Sequence, residues 1–90
     1  MFNWNDLESF LTLSRSLKLN LASKKLKIES TTISRRILRL EKKLNVKLFF
    51  RSNNIYQLTE NGQSLLAHAE RIESETISIN EFFLNKNLSL

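Results

Sequence analysis

With 90 residues, 41% of them apolar, one Gly and no Pro, the chain has room for one small domain with a thin core, built of helices joined by short loops. The absence of Cys excludes a disulfide framework and a thiolate metal site. The net charge of +5 sits in one block: Arg15 to Arg51 holds twelve of the fourteen Lys and Arg against Glu29 and Glu41, whereas both flanks are acidic, a clustering expected of a protein that binds polyanions.

A first helix is expected from about Trp4 to Ser16, with Leu7, Phe10, Leu11 and either Leu13 or Leu17 inward. Asn3 is suited to the N-cap with Asp6 three residues on; Asn5 with Glu8 is a rival register. The stretch LNLASKKLKI reads as a short second helix capped by Asn20, with Ala22 and Leu26 facing the core and Leu19 and Ile28 pinning its ends. Lys27 is expected to end it in left-handed backbone, at a cost of about 1 kcal/mol relative to Gly.

The third helix, Ser30 to Leu44, places Ile33, Ile37, Leu40 and Leu44 on one face. Its other sides carry small hydroxyls at the front and arginines behind. Two helices separated by so short a turn, the second strongly basic, describe a helix-turn-helix. In NVKLFFRSNNIYQLT, Val46, Leu48 and Phe50 alternate with Lys47, Phe49 and Arg51, and the polar SNN suits a hairpin tip, so two short strands form a wing.

From Thr59, a good N-cap, the helical pattern returns. Leu65, Ala69, Ile72, Thr76, Ile79 and Phe83 follow at spacings of four and three in alternation. Such a narrow seam, with a period of about 3.5 residues, predicts a partner helix, most simply the same helix of a second copy. The alternative is that the stripe lies on its own domain.

No enzyme site is visible. His68 is the only histidine, no glycine-rich phosphate loop is present, and Glu70, Glu73 and Glu75 read as a solvated helix surface. No cofactor or metal is expected. A helix whose N-terminal end enters the major groove needs short polar side chains there, which Ser30, Thr31, Thr32 and Ser34 provide. Arg35 and Arg39 are placed to reach guanine edges or phosphates, Arg36 flanks the groove, and Lys18, Lys24, Lys25, Lys42 and Lys43 add non-specific attraction.

ASKKLKIESTTISRRILRLEKKLNVKLFFR followed by LTENG resembles the DNA-binding domain of LysR-type transcriptional regulators. Ala22, Leu26, Ile28, Ile33, Ser34, Ile37, Arg39, Leu40, Glu41, Leu44, Val46, Leu48, Phe49, Arg51, Leu58, Thr59 and Gly62 fall in register with that family's pattern. The chain departs from it where Glu29, Ser30 and Thr31 stand for the usual Ser, Gln and Pro, and Asn45 for a common Gly. The resemblance implies double-stranded DNA as partner, with contact through Ser34 and Arg35 and, by position, through Ser30, Thr31 and Thr32; Arg51 at the base of the wing is expected to contact phosphate. It also implies an antiparallel homodimer through the last helix, and close packing of Gly62 against the wing or third helix. Glu41 is expected to pair with Arg51 or Arg39.

The expected architecture is therefore mainly α. A winged helix-turn-helix domain of three helices plus a short β-hairpin occupies residues 1–59, a linker or dimerisation helix 60–84, and a tail 85–90. Family members carry a small-molecule-binding domain after this helix, so a truncated form, or one working without an effector, is expected. The alternative function is an interaction module that forms mixed dimers with a full-length regulator. No apolar run approaches the roughly 20 residues that span a bilayer, and MFNWNDLESF lacks a signal-peptide pattern, so a cytoplasmic chain without membrane association is expected.

Overall fold

Helices α1 (Trp4–Ser16), α2 (Leu19–Leu26) and α3 (Ser30–Leu44) are followed by strands β1 (Phe49–Ser52) and β2 (Ile55–Leu58) and by one long helix, α4 (Glu60–Leu88). These elements belong to a computed structural model that describes residues 1–88. The architecture is mainly α: three helices, a two-stranded antiparallel hairpin, then the long C-terminal helix. Leu7, Phe10, Leu11 and Leu13 of α1, Ala22 of α2, and Ile33, Ile37 and Leu40 of α3 form the core with Leu48, Phe49, Tyr56 and Ala69.

Helix α1 starts where Asn3, in extended backbone, accepts a hydrogen bond from the Asn5 N–H at 2.8 Å. Asp6 does not complete a capping box, because its side chain turns inward and is 1% exposed. Of the two alternatives for the fourth inward position, Leu13 is the buried one. Leu17 instead ends the helix at φ 61°, its N–H donating to the Leu13 carbonyl.

The Leu17 carbonyl accepts from the Tyr56 N–H at 2.8 Å, and Lys18 bridges Ile55. The connector thus lies along β2 as a strand-like edge. This explains why α2 begins earlier than its sequence suggests. Lys18 is held extended by the bridge, so Lys18 rather than Asn20 is the N-cap, without a side-chain cap. Lys27 closes α2 at φ 58°, as expected for a tight turn without Gly.

Glu41 departs from expectation. Its buried carboxylate pairs with neither Arg51 nor Arg39; Oε2 accepts from the backbone N–H groups of Leu48 at 2.7 Å and Phe49 at 3.4 Å. A charged acceptor there satisfies donors at the entrance to the wing that have no strand partner. It also breaks the expected alternation. Leu48 and Phe49 are both buried, and Phe50 faces solvent at 65% exposure.

The Phe49 ring lies 5.4 Å from that of Phe10 and 5.5 Å from that of Tyr56, tying the wing to the core. In the hairpin Phe49 pairs with Leu58 and Ser52 with Ile55, and Asn53 makes the tip at φ 58°.

The Thr59 hydroxyl accepts from the Gly62 N–H at 3.0 Å and donates to the Lys47 carbonyl at 2.6 Å, capping α4 and anchoring it to the wing. Gly62 itself lies against the Leu48 backbone. At the next stage of α4, Arg15 holds Glu73 through two hydrogen bonds of 2.6 and 3.0 Å. These bonds, and then the opposite charge, keep the Glu73 carboxyl below its ordinary pKa. The helix runs unbroken past position 84 to Leu88, so positions 85–88 are helical rather than a tail; 89 and 90 lie outside the described residues.

Candidate nucleic-acid interface

The buried stripe of α3 seals Ile33, Ile37 and Leu40 against α1, leaving the opposite face to solvent. Thr31 and Arg35 are exposed on that face, and Ser30, Thr32 and Ser34 are half-buried beside it. Arg35 Nη2 donates to Thr32 Oγ1 at 3.4 Å, and Thr31 Oγ1 to Glu29 Oε2 at 3.5 Å. Both are long bonds that a nucleic acid could replace. Glu29 is the N-cap in extended backbone, but its side chain caps no N–H.

The three arginines of α3 differ in their surroundings. Among the described residues, Arg35 hydrogen-bonds within its own helix. Arg36 Nη1 donates to the buried Ser9 Oγ at 3.3 Å. Arg39 donates from Nε and Nη2 to the two carboxylate oxygens of Asp6, at 2.8 and 2.6 Å. These bonds, then the Asp6 charge, hold the Arg39 guanidinium above its ordinary pKa. Arg39, expected as a DNA contact, thus has its Nε and Nη2 engaged by Asp6. Its side chain is still 52% exposed.

Asp6 and Ser9 were not among the expected site residues. The signal was available: Asp6, Phe10 and Leu13 stand at spacings of four and three, which places Asp6 on the inward stripe of α1.

In the wing, the Arg51 guanidinium carbon lies 5.2 Å from the centre of the Tyr56 ring, and the residue remains exposed. The tip, Ser52 to Asn54, carries no cation. Lys24, Lys25, Lys42 and Lys43 are exposed on the surfaces of α2 and α3.

The six-residue seam of α4 divides into two parts. Leu65 and Ala69 pack on their own domain, Ala69 at 0% exposure, because Thr59 and Gly62 dock the start of the helix there. Those two positions therefore serve the single chain's core. Ile72, Thr76, Ile79 and Phe83 lie open, and the Phe82 and Phe83 rings meet edge to face beside them.

Among the described residues, no three His, Cys, Asp or Glu gather as a metal site, and no helix is long and apolar enough to cross a membrane. His68 is on the surface, its Nδ1 2.7 Å from Arg71 Nη2.

The sequence profile of the bacterial regulatory helix-turn-helix proteins of the lysR family matches residues 4–63. The probable RuBisCO transcriptional regulator of Emiliania huxleyi is 36% identical over 73 residues, covering 81% of this chain and 23% of that protein. The HTH-type transcriptional regulator HdfR of Escherichia coli is 34% identical over 94 residues, covering 93% of this chain and 34% of that protein. The chain thus spans about a quarter to a third of the length of these curated relatives.

The CbnR DBD–DNA complex superposes with a TM-score of 0.84 at 25% identity, over 94% of this chain and 98% of that one. The BenM DBD in complex with catB site 1 DNA does so with a TM-score of 0.86 over 93% and 94%, at 21% identity, a likeness of fold alone. The family is one of transcriptional regulators, not enzymes. With its helix-turn-helix, hairpin wing and long closing helix all within or adjoining the matched span, the chain belongs to the lysR family of bacterial regulatory helix-turn-helix proteins.

Proposed function

We propose that this chain binds double-stranded DNA sequence-specifically, as a homodimer, and regulates transcription in the cytoplasm. The observation that carries the reading is the exposure of Thr31 and Arg35 at the front of a helix whose opposite face is sealed into the core. The front of α3 enters the major groove. There Arg35 reads a base edge, and Thr31, with the rims of Ser30, Thr32 and Ser34, supplies short hydrogen bonds.

Arg51 contacts phosphate beside the groove, and Arg39, engaged by Asp6, stands behind Arg35. Residues 1–59 form the DNA-binding unit. Positions 72 to 83 of the following helix pair with a second copy, so that two recognition helices meet two half-sites. The fold shared with CbnR and BenM domains that were crystallised with DNA supports this docking. So does the basic block from Arg15 to Arg51.

Selection of bound sequences from a random DNA pool, followed by gel shifts over a salt series, tests the reading. Affinity should fall steeply with salt, and the selected sites should be two-fold symmetric. Arg35→Ala should cost about 1–3 kcal/mol and relax preference at one position of each half-site. Equal weakening on every sequence would show that Arg35 only positions the protein. No binding at any salt would refute DNA binding and leave mixed dimers with a longer regulator as the role to examine.

A further inference from the structure

Resting on that DNA-binding reading, we infer that Asp6 is a positioning residue: its carboxylate fixes the Arg39 guanidinium and, with it, the rotation of α3 at the DNA surface. Two polar side chains of α1 are buried, Asp6 at 1% and Ser9 at 0% exposure. Both are committed to arginines of α3. Asp6 receives two hydrogen bonds from Arg39, of 2.8 and 2.6 Å, and Ser9 receives one from Arg36, of 3.3 Å.

Asp6 and Ser9 are three residues apart on one helix, as are Arg36 and Arg39 on the other, and the contacts run in opposite order along the two. Two links about one turn apart restrain both the sliding and the rotation of α3 on α1. The apolar packing of Leu7, Phe10, Ile33 and Ile37 cannot do this as sharply, because burial is non-directional. A two-point guanidinium–carboxylate contact has one geometry.

The restraint matters at the outer face. A rotation of about 20° swings a group at the helix's outer radius by about 2 Å, enough to break a base-edge hydrogen bond. Arg35 stands one turn before Arg39, so the clamp lies directly behind the base-reading side chain. The carboxylate also offsets one positive charge that would otherwise be drawn to phosphate. The clamp therefore lowers non-specific attraction while holding register.

Two variants separate these effects. Arg39→Lys conserves the charge but cannot form the two-point contact; Asp6→Asn removes the carboxylate charge. Affinities for the selected site and for random duplex are measured over a salt series, with thermal unfolding of each variant in parallel. Arg39→Lys is expected to lower the specific-to-random affinity ratio roughly tenfold, about what one lost charge-assisted hydrogen bond produces, with the salt slope unchanged.

Asp6→Asn is expected to lower the ratio likewise and to steepen the slope on random DNA by about one. An unchanged ratio in Arg39→Lys overturns the assignment, and so does equal weakening on both DNAs. If Asp6→Asn fails to fold, Arg39→Lys alone decides. Absence of wild-type binding to either DNA would overturn the DNA-binding reading itself, so the two failures are distinguishable.

Discussion

Replacing Gly62 by Ala sets two effects of opposite sign against each other. Helix propensity favours the change by about 1 kcal/mol, because Ala loses less backbone freedom than Gly in α4. Packing opposes it. A Cβ at position 62 would overlap the Leu48 carbonyl oxygen and sit 2.9 Å from Leu58 Cδ2 and 3.2 Å from the Leu48 carbonyl carbon.

The leucine side chain can rotate away, but the carbonyl cannot. It is backbone, held in place by the 3.0 Å hydrogen bond from the Thr59 N–H. The start of α4 must therefore lift off the wing, straining the Thr59 hydroxyl bonds to Lys47 and Gly62. Overpacking of about 1–3 kcal/mol, plus about 1 kcal/mol for each weakened hydrogen bond, outweighs the propensity gain. The net expectation is a loss of about 2–4 kcal/mol, a fall in Tm of roughly 8–32 °C for a domain of this size. Circular dichroism melts at one protein concentration, which removes the effect of any dimer equilibrium, measure it. A Tm equal to or above wild type would refute the claim that α4 is seated on the Leu48 backbone.

Glu41→Gln should destabilise by about 1–3 kcal/mol, since the two N–H groups of Leu48 and Phe49 then share a neutral amide oxygen and lose the charge assistance of the carboxylate; urea unfolding with an unchanged midpoint would contradict it. The lowered pKa of Glu73 has a definite sign. The Arg15 link contributes at neutral pH and is lost as pH falls through and below the ordinary carboxylate range. An NMR titration should show the Glu73 midpoint rising in Arg15→Gln, and an unmoved midpoint would exclude Arg15 as the cause. Ile79→Asp should shift the chain toward monomer in sedimentation, because it places a charge in the open apolar part of α4; an unaltered mass would place any dimer contact elsewhere.

The elements themselves were legible in the sequence. The four-and-three spacing of Ile33, Ile37, Leu40 and Leu44 marks α3, and its boundaries match the structure, because each signal is local to one turn. Lys27, ending α2 in left-handed backbone, was legible too, since so short a turn leaves no other route. Thr59 and Gly62 also met expectation, through the cap and the close approach to the wing.

What the linear pattern could not supply was choice among partners distant in the chain. A buried carboxylate is satisfied by whichever donors the fold brings within reach. Glu41 therefore serves two amides rather than an arginine, Asp6 takes two hydrogen bonds from Arg39, and Lys18 displaces Asn20 as the start of α2. Likewise a periodic stripe records which residues share a face but not what covers it. Only the docking of α4 on the wing divides that stripe, burying Ala69, half-burying Leu65 and leaving Ile72, Thr76, Ile79 and Phe83 open. Local periodicity sets the helices; the position of each helix against the next decides where every charge and every apolar edge ends.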